Sequence, residues 1–316
     1  MRVLVAGATG AIGRPLVARL AAAGHEVTGT TRSDAGARLL RGLGAAPAVV
    51  DATDTDALAA AVAAARPEVV VHQLTALSQP PGEEGYDAWL EATNRLRRDV
   101  TPALVAAAAR AGARRLIAQS VVFMTAPEGP PVGDETARVW TEAPPPLAGT
   151  IGANLAMEDA VLGAPDLEGV VLRYGFFYGP GTMYAPGGTV AEALRAGRYP
   201  LVGDGDGVTS FVHTDDAAAA TVSALTRGAP GVYNVVDDEP APVREWAPVL
   251  ARLLGGPPPA RLDERTAARE LGAQAVYYGA HLRGASNARA RRELGFAPRY
   301  PSWRTGFAQM VASGGG

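Results

Sequence analysis

The chain has 316 residues, with 29 basic against 32 acidic side chains and a net charge of −3, enough length for a sizeable core and no basic stripe for nucleic acid or a membrane surface. It contains no cysteine, which excludes disulfides, thiolate metal sites and cysteine nucleophiles. Every basic residue apart from histidine is an arginine; there is no lysine.

Residues 2–6 predict a strand that runs directly into Gly7-Ala8-Thr9-Gly10-Ala11-Ile12-Gly13, followed by a helix over 12–23. No signal-peptide layout precedes it, and the longest apolar run, 57–65, is too short to cross a bilayer, so a cytoplasmic protein is expected. Further strands are predicted at 26–31, 48–51, 69–72, 115–120 and 169–174, alternating with helices near 34–43, 54–65, 87–111 and 150–163. Such nearly continuous apolar strands predict an α/β fold, a Rossmann-like doubly wound parallel sheet covered on both faces. After Tyr174 the rhythm changes to Gly- and Pro-rich loops at 179–188 and 203–207, a helix near 214–227, a strand near 231–236 and then short helices. This predicts a smaller, intertwined C-terminal substrate lobe. Residues 1–180 with 208–236 are expected to form one domain, and 181–207 with 237–316 the lobe. The 314–316 tail is expected to fray.

The glycine segment lies between a strand and a helix. Glycine is required where the backbone turns tightly and where it must approach a pyrophosphate without a Cβ, and the helix start offers free N–H groups and a positive dipole end. Gly7, Thr9, Gly10, Ala11, Ile12 and Gly13 are therefore assigned to a dinucleotide. An acid at the end of the second strand would favour NAD; here the strand ends Thr30-Thr31-Arg32-Ser33, and Arg32 suits the 2′-phosphate of NADP(H), with Arg14 as a further candidate. Asp51, with Ala52, is placed to accept from the adenine amino group, helix capping being the alternative. Leu74 and Thr75 follow the fourth strand, next to the nicotinamide.

With those residues in hand, the chain resembles the extended short-chain dehydrogenase/reductases of the NAD-dependent epimerase/dehydratase type. The likeness covers nearly the whole length. It includes Gly7–Gly13, the Asp51 strand end, the strand ending in Ser120, Leu172-Arg173, Tyr178-Gly179-Pro180-Gly181, the run from Phe211 to Asp216, and Gly231-Val232-Tyr233-Asn234-Val235. The resemblance implies catalysis by a Ser/Thr, a Tyr and a Lys, the last two spaced Tyr-x-x-x-Lys with a glutamate four residues beyond. Ser120 matches the first. Anchored on Glu158, the other two positions are Thr150 and Asn154, and no tyrosine lies between Tyr86 and Tyr174. A threonine hydroxyl cannot replace the tyrosine as an acid, and asparagine carries no charge. Acid–base catalysis is worth roughly 10²–10⁴-fold, whereas holding the reactants in geometry is worth about 7–11 kcal/mol, so hydride transfer survives the loss.

These departures resemble ketoreductases of aromatic polyketide, hence antibiotic, pathways. The leading expectation is an NADPH-dependent ketoreductase acting on a hydrophobic aromatic small molecule. Ser120 and Thr150 would donate to the substrate oxygen, and Asn154 would orient the ribose. A non-catalytic NADP-binding sensor and a nucleotide-sugar epimerase or dehydratase are the rivals; Arg195, Arg198 and Arg283 would grip a sugar diphosphate. Val122, Met124, Phe177, Tyr178, Met183 and Tyr184 are expected beside Leu74 and Thr75 over the nicotinamide. Tyr174 is a further candidate proton donor, and His72 and His213 are expected to be structural. No metal, nucleic acid or membrane partner is expected, and the resemblance implies a homodimer through 87–111 and 150–163.

Overall fold

The computed structural model describes residues 1–77 and 85–313; the 314–316 tail lies outside them. Seven strands form one wholly parallel sheet: β1 (Arg2–Ala6), β2 (Glu26–Thr31), β3 (Ala46–Val49), β4 (Val69–His72), β5 (Arg115–Val121), β6 (Glu168–Tyr174) and β7 (Gly231–Val235). Their order is β7-β6-β5-β4-β1-β2-β3, the doubly wound parallel sheet expected. The order reverses beside β1, where Ala6 pairs with His72. The loops after β1 and β4 therefore diverge at their carboxyl ends and open the crevice in which such sheets bind ligands.

Alternation along each strand divides the core. Val3 and Val5 pack with Leu16 and Leu20 of α1 (Gly13–Ala22) on one face. Leu4 and Ala6 pack with the other face's cluster, which includes Leu58, Leu104 and Met157. Those three come from α3 (Thr55–Ala65), α5 (Thr101–Arg110) and α6 (Leu147–Leu162), while α2 (Asp34–Gly42) connects β2 to β3. Where one helix was expected over 87–111, the chain forms α4 (Gly85–Arg95), a π-helical turn over Leu96–Val100, and then α5. Pro102 explains the break: with no N–H it cannot bond back to residue 98, so the preceding turn widens. The third strand also ends earlier than expected, at Val49, because Asp51 turns aside to bond Thr53.

Beyond the carboxyl end of β6 the strand Phe176–Tyr178 pairs in parallel with Phe211–His213. An aromatic cluster of Tyr178, Tyr184, Phe211, Trp246, Trp303 and Phe307 forms a separate core there. It packs α8 (Val243–Leu253) against α9 (Trp303–Ser313), while α7 (Thr214–Ala224) returns to the sheet with α1.

Candidate active site

The glycine turn is shaped by contacts that no other residue allows. Gly7 has φ +88°, and a Cβ there would lie 2.5 Å from the Gln73 carbonyl oxygen on the neighbouring loop. A Cβ on Gly13 would lie 2.4 Å from the Gly7 carbonyl oxygen. At Gly10 the nearest atom is 3.5 Å away, so the outer side of the turn is open. Helix α1 begins there with no side-chain cap and no acid in its first turn, leaving its amides and positive end for an anion. Among the described residues Arg14 is drawn to the Thr9 carbonyl, 2.8 Å from Nε.

At the end of β2, Ser33 caps α2 by accepting from the Gly36 amide at 3.1 Å. Arg32 is exposed and meets no carboxylate within ion-pair distance among the described residues. Asp51 Oδ1 accepts from both the amide and the hydroxyl of Thr53, which hold its carboxyl below the ordinary range. Its capping alternative is corrected: Asp54, not Asp51, caps α3, accepting from the Ala57 amide at 3.0 Å. Ala52 is buried, and Leu74 and Thr75 are half-buried beyond β4.

Helix α6 faces the ends of β5 and β6. Glu158, on its buried side, takes Nε and Nη2 of Arg173 at 2.8 and 2.5 Å, and its Oε1 also accepts the Ser120 hydroxyl at 2.6 Å. This corrects the expected role of Ser120. It is fully buried and gives its only hydrogen to Glu158, so it braces α6 against β5 and cannot donate to a substrate. Replacing Ser120 with alanine is expected to leave kcat within a few-fold of wild type while lowering stability by about 1–3 kcal/mol; a collapse of kcat with stability intact would refute this.

Thr150 and Asn154 lie one turn apart. Asn154 is fully buried, its Nδ2 donates to the Thr150 carbonyl at 2.8 Å, and its Oδ1 has no hydrogen-bond partner among the described residues. Thr150 Oγ1 accepts from Asn94 Nδ2 at 3.3 Å, which leaves the threonine hydrogen free to donate. Both Asn94 and Thr150 line a cleft of about 390 Å³ with Leu90, Glu91, Pro145 and Pro146.

Tyr174 does not reach this cleft. Its hydroxyl lies 2.6 Å from Thr221 Oγ1 and takes a hydrogen from Gln73 Nε2 at 3.4 Å, and burial pushes its pKa up to about 12. That corrects its reading as a proton donor. Of the expected lining, Phe177 packs at a tilt against Tyr174 at the edge of the core. Tyr178 and Tyr184 belong to the lobe's aromatic core, and Met183 is exposed. Val122 and Met124 line a cavity of only about 10 Å³ with Arg173 and Asn234. An aromatic wall packs against Leu147 and Ile151 of α6 instead: Phe123 stacked on Phe176 at 4.3 Å, with Tyr278 edge-on to both. Its members were missed because they come from a loop, a two-strand pair and a π turn, where no periodicity marks a face.

His72 is structural. Its Nδ1 accepts the Leu74 amide, so Nε2 carries the hydrogen and donates to Thr101 Oγ1 at 2.9 Å. Burial, then the charge of Arg97, pulls its pKa down to about 4. His213 likewise caps α7 through the Asp215 amide. Arg195 is paired with Glu192, and Arg283 Nε donates to the Pro127 carbonyl. Among the described residues no group of three or more His, Asp or Glu could hold a metal, and no helix is long and apolar enough to cross a membrane.

Residues 3–235 match the model of the NAD dependent epimerase/dehydratase family. The chain belongs to that family. It is 49% identical over 319 residues, 98% of its own length and 100% of the relative's, to the 3-diazoavenalumate denitrifying reductase of a Streptomyces species. It is 28% identical over 322 residues, covering 95% and 92%, to the 4-hydroxy-2-methyl-3-oxo-4-farnesyl-3,4-dihydroquinoline-1-oxide ketoreductase of Stigmatella aurantiaca. Among solved structures, the Thermus thermophilus UDP-glucose 4-epimerase complex with NAD superposes with TM-score 0.74 at 25% identity over 99% of this chain and 98% of that one. The chain is accordingly an oxidoreductase of the reductase type that uses a nicotinamide nucleotide and a small-molecule substrate.

The site fits such a cofactor. The open side of Gly10 and the uncapped amides of α1 suit a pyrophosphate, and the orphaned Oδ1 of Asn154 suits a ribose hydroxyl.

Proposed function

We propose that this protein is an NADPH-dependent reductase that replaces the diazo group of a hydrophobic aromatic substrate with hydrogen. The observation that carries the reading is that, among the described residues, the family's acid positions hold no tyrosine, lysine or free serine hydroxyl. Thr150 and Asn154 stand where the resemblance implies Tyr and Lys, and the Ser120 hydrogen is committed to Glu158. A ketone reduced to an alkoxide needs a proton at its oxygen; an aryl diazonium does not. The reduced nicotinamide supplies a hydride, which takes the place of nitrogen on the ring carbon, so that diazonium and NADPH give arene, N2 and NADP⁺ with charge and atoms balanced. The family relative that shares 49% of its residues with this chain acts on a diazo compound by name.

The residues of the chain then bind and orient. Gly7, Thr9, Gly10, Ala11, Ile12 and Gly13 hold the pyrophosphate and Arg32 the 2′-phosphate. Asp51 with Ala52 meets the adenine, Leu74 and Thr75 border the nicotinamide, and Asn154 Oδ1 accepts from its ribose. The lobe of 181–207 with 237–316 covers the substrate. Arg32→Glu is expected to weaken NADPH binding by about 10–100-fold, the strength of a lost charge-assisted pair; calorimetry should show NADH binding unchanged, and equal losses for both cofactors would remove Arg32 from the 2′-phosphate site.

Ketone reduction is the second reading, favoured by the Stigmatella relative and by the free hydrogen of Thr150. The deciding experiment supplies an aryl diazo acid and an aryl ketone with NADPH deuterated at the transferred position. Nitrogen released in step with NADPH oxidation, and deuterium on the ring, support diazo reduction. Turnover of the ketone alone supports the second reading, and oxidation with neither defeats both.

A further inference from the structure

Among the described residues, a buried cation beside this site has no counter-charge. Arg97 arises from the π turn between α4 and α5 and is 5% exposed. Its Nη1 donates to Asn94 Oδ1 at 3.4 Å, and no carboxylate lies within ion-pair distance among the described residues. Arg115, buried to the same degree, has Glu168 and three backbone carbonyls. A buried charge left alone is strongly destabilising, and a planar guanidinium is built to donate to the paired oxygens of an anion.

The surroundings of Arg97 locate that anion. Asn94, which it contacts, donates to Thr150 at the mouth of the cleft. The charge of Arg97 reaches His72 at the carboxyl end of β4 and Tyr278 of the aromatic wall. His72 cannot serve as its partner, being neutral and engaged on both nitrogens. Burial lowers the guanidinium's pKa to about 10, so it stays charged at neutral pH. Through Asn94 the guanidinium is therefore linked to Thr150 and the cleft that both residues line.

We propose that Arg97 binds an anionic oxygen of the substrate, the carboxylate or phenolate of an aryl acid, and so selects acids over neutral compounds at this site. The proposal rests on the aromatic-substrate reading above. Once engaged, the anion supplies the missing counter-charge and holds the ring against Phe123, Phe176 and Tyr278 beside Thr150.

Binding tests this separately from turnover. With NADP⁺ present, calorimetry compares 4-hydroxycinnamate, its methyl ester and 4-methoxycinnamate. The wild-type protein is expected to favour 4-hydroxycinnamate over at least one of the blocked compounds by about tenfold or more, the scale of a charge-assisted hydrogen bond. Loss on esterification identifies the carboxylate as the anchor; loss on methylating the phenol identifies the phenolate. Arg97→Gln should erase the preference with NADPH affinity unchanged, and Arg97→Lys should restore part of it. Equal binding of all three compounds by wild type, or no binding of any, overturns the proposal even if the variants do not fold; so does a preference that persists in Arg97→Gln. If aryl diazo acids are not reduced while Arg97-dependent binding is seen, the diazo reading fails and the anion site stands. Diazo turnover without any preference for acids gives the reverse.

Discussion

Replacing Glu158 with alanine is expected to lower the unfolding free energy by about 3–5 kcal/mol. The carboxylate is 5% exposed and holds three groups: Nε and Nη2 of Arg173 on β6 and the Ser120 hydroxyl on β5. Its removal leaves a guanidinium that is itself only 12% exposed without a counter-charge, and a buried hydroxyl without its acceptor. The loss also releases α6, which carries Thr150 and Asn154, so turnover should fall together with stability. Urea denaturation followed by fluorescence measures the effect. Glu158→Gln preserves the volume and one acceptor and should lie between alanine and wild type. A loss below about 1 kcal/mol, as for an exposed pair, would show that this network does not fasten the helix to the sheet.

Asp237→Asn is expected to stabilise the protein, and increasingly so as pH rises. Asp237 is 1% exposed; its Oδ1 accepts from the Glu239 amide at 3.1 Å, and the Trp303 amide also favours the charged form, but neither offsets its burial. Burial first, then the charges of Glu239 and Asp238, raises its pKa to about 8, against an ordinary 3.8. Because the folded value lies above the unfolded one, the protonated form is favoured by folding. Its contribution is complete below the unfolded value and is lost as pH rises from about 4 through about 8. At pH 8 and above the wild type carries the full penalty, on the order of 5 kcal/mol at most, and asparagine avoids it. Melting curves should therefore coincide near pH 4 and separate above it. His72 contributes in the opposite sense: its folded value of about 4 lies below 6.5, so its stabilisation is present above pH 6.5 and is lost on acidification. A variant no more stable than wild type at pH 8 would mean that Asp237 is solvated or paired in the folded protein.

The glycine turn is largely local in sequence, and its geometry was legible for that reason. Gly7, Gly10 and Gly13 sit between a strand and a helix, and both the φ of Gly7 and the backbone contacts around Gly7 and Gly13 require glycine there. The apolar strands likewise predicted the doubly wound sheet, since residues buried on both faces cannot alternate with polar ones. The missing lysine and tyrosine needed no structure at all.

The reacting end is assembled from distant segments, and there the sequence misled. A serine at the end of a buried strand reads as a catalytic hydroxyl, but only the packing of α6 on β5 and β6 brings Glu158 to it and takes its hydrogen. Tyr174 reads as an acid at a strand end until Gln73 and Thr221, 101 and 47 residues away in the chain, enclose it in the core. Nothing in a run of helical residues marks Arg97 as buried and, among the described residues, without a carboxylate partner. The sequence alone determined the glycine turn and the parallel sheet, because neighbours along the chain specify both. Which hydroxyl keeps its proton and which cation lacks a partner were decided only by tertiary structure, because burial and pairing depend on residues that meet across the fold.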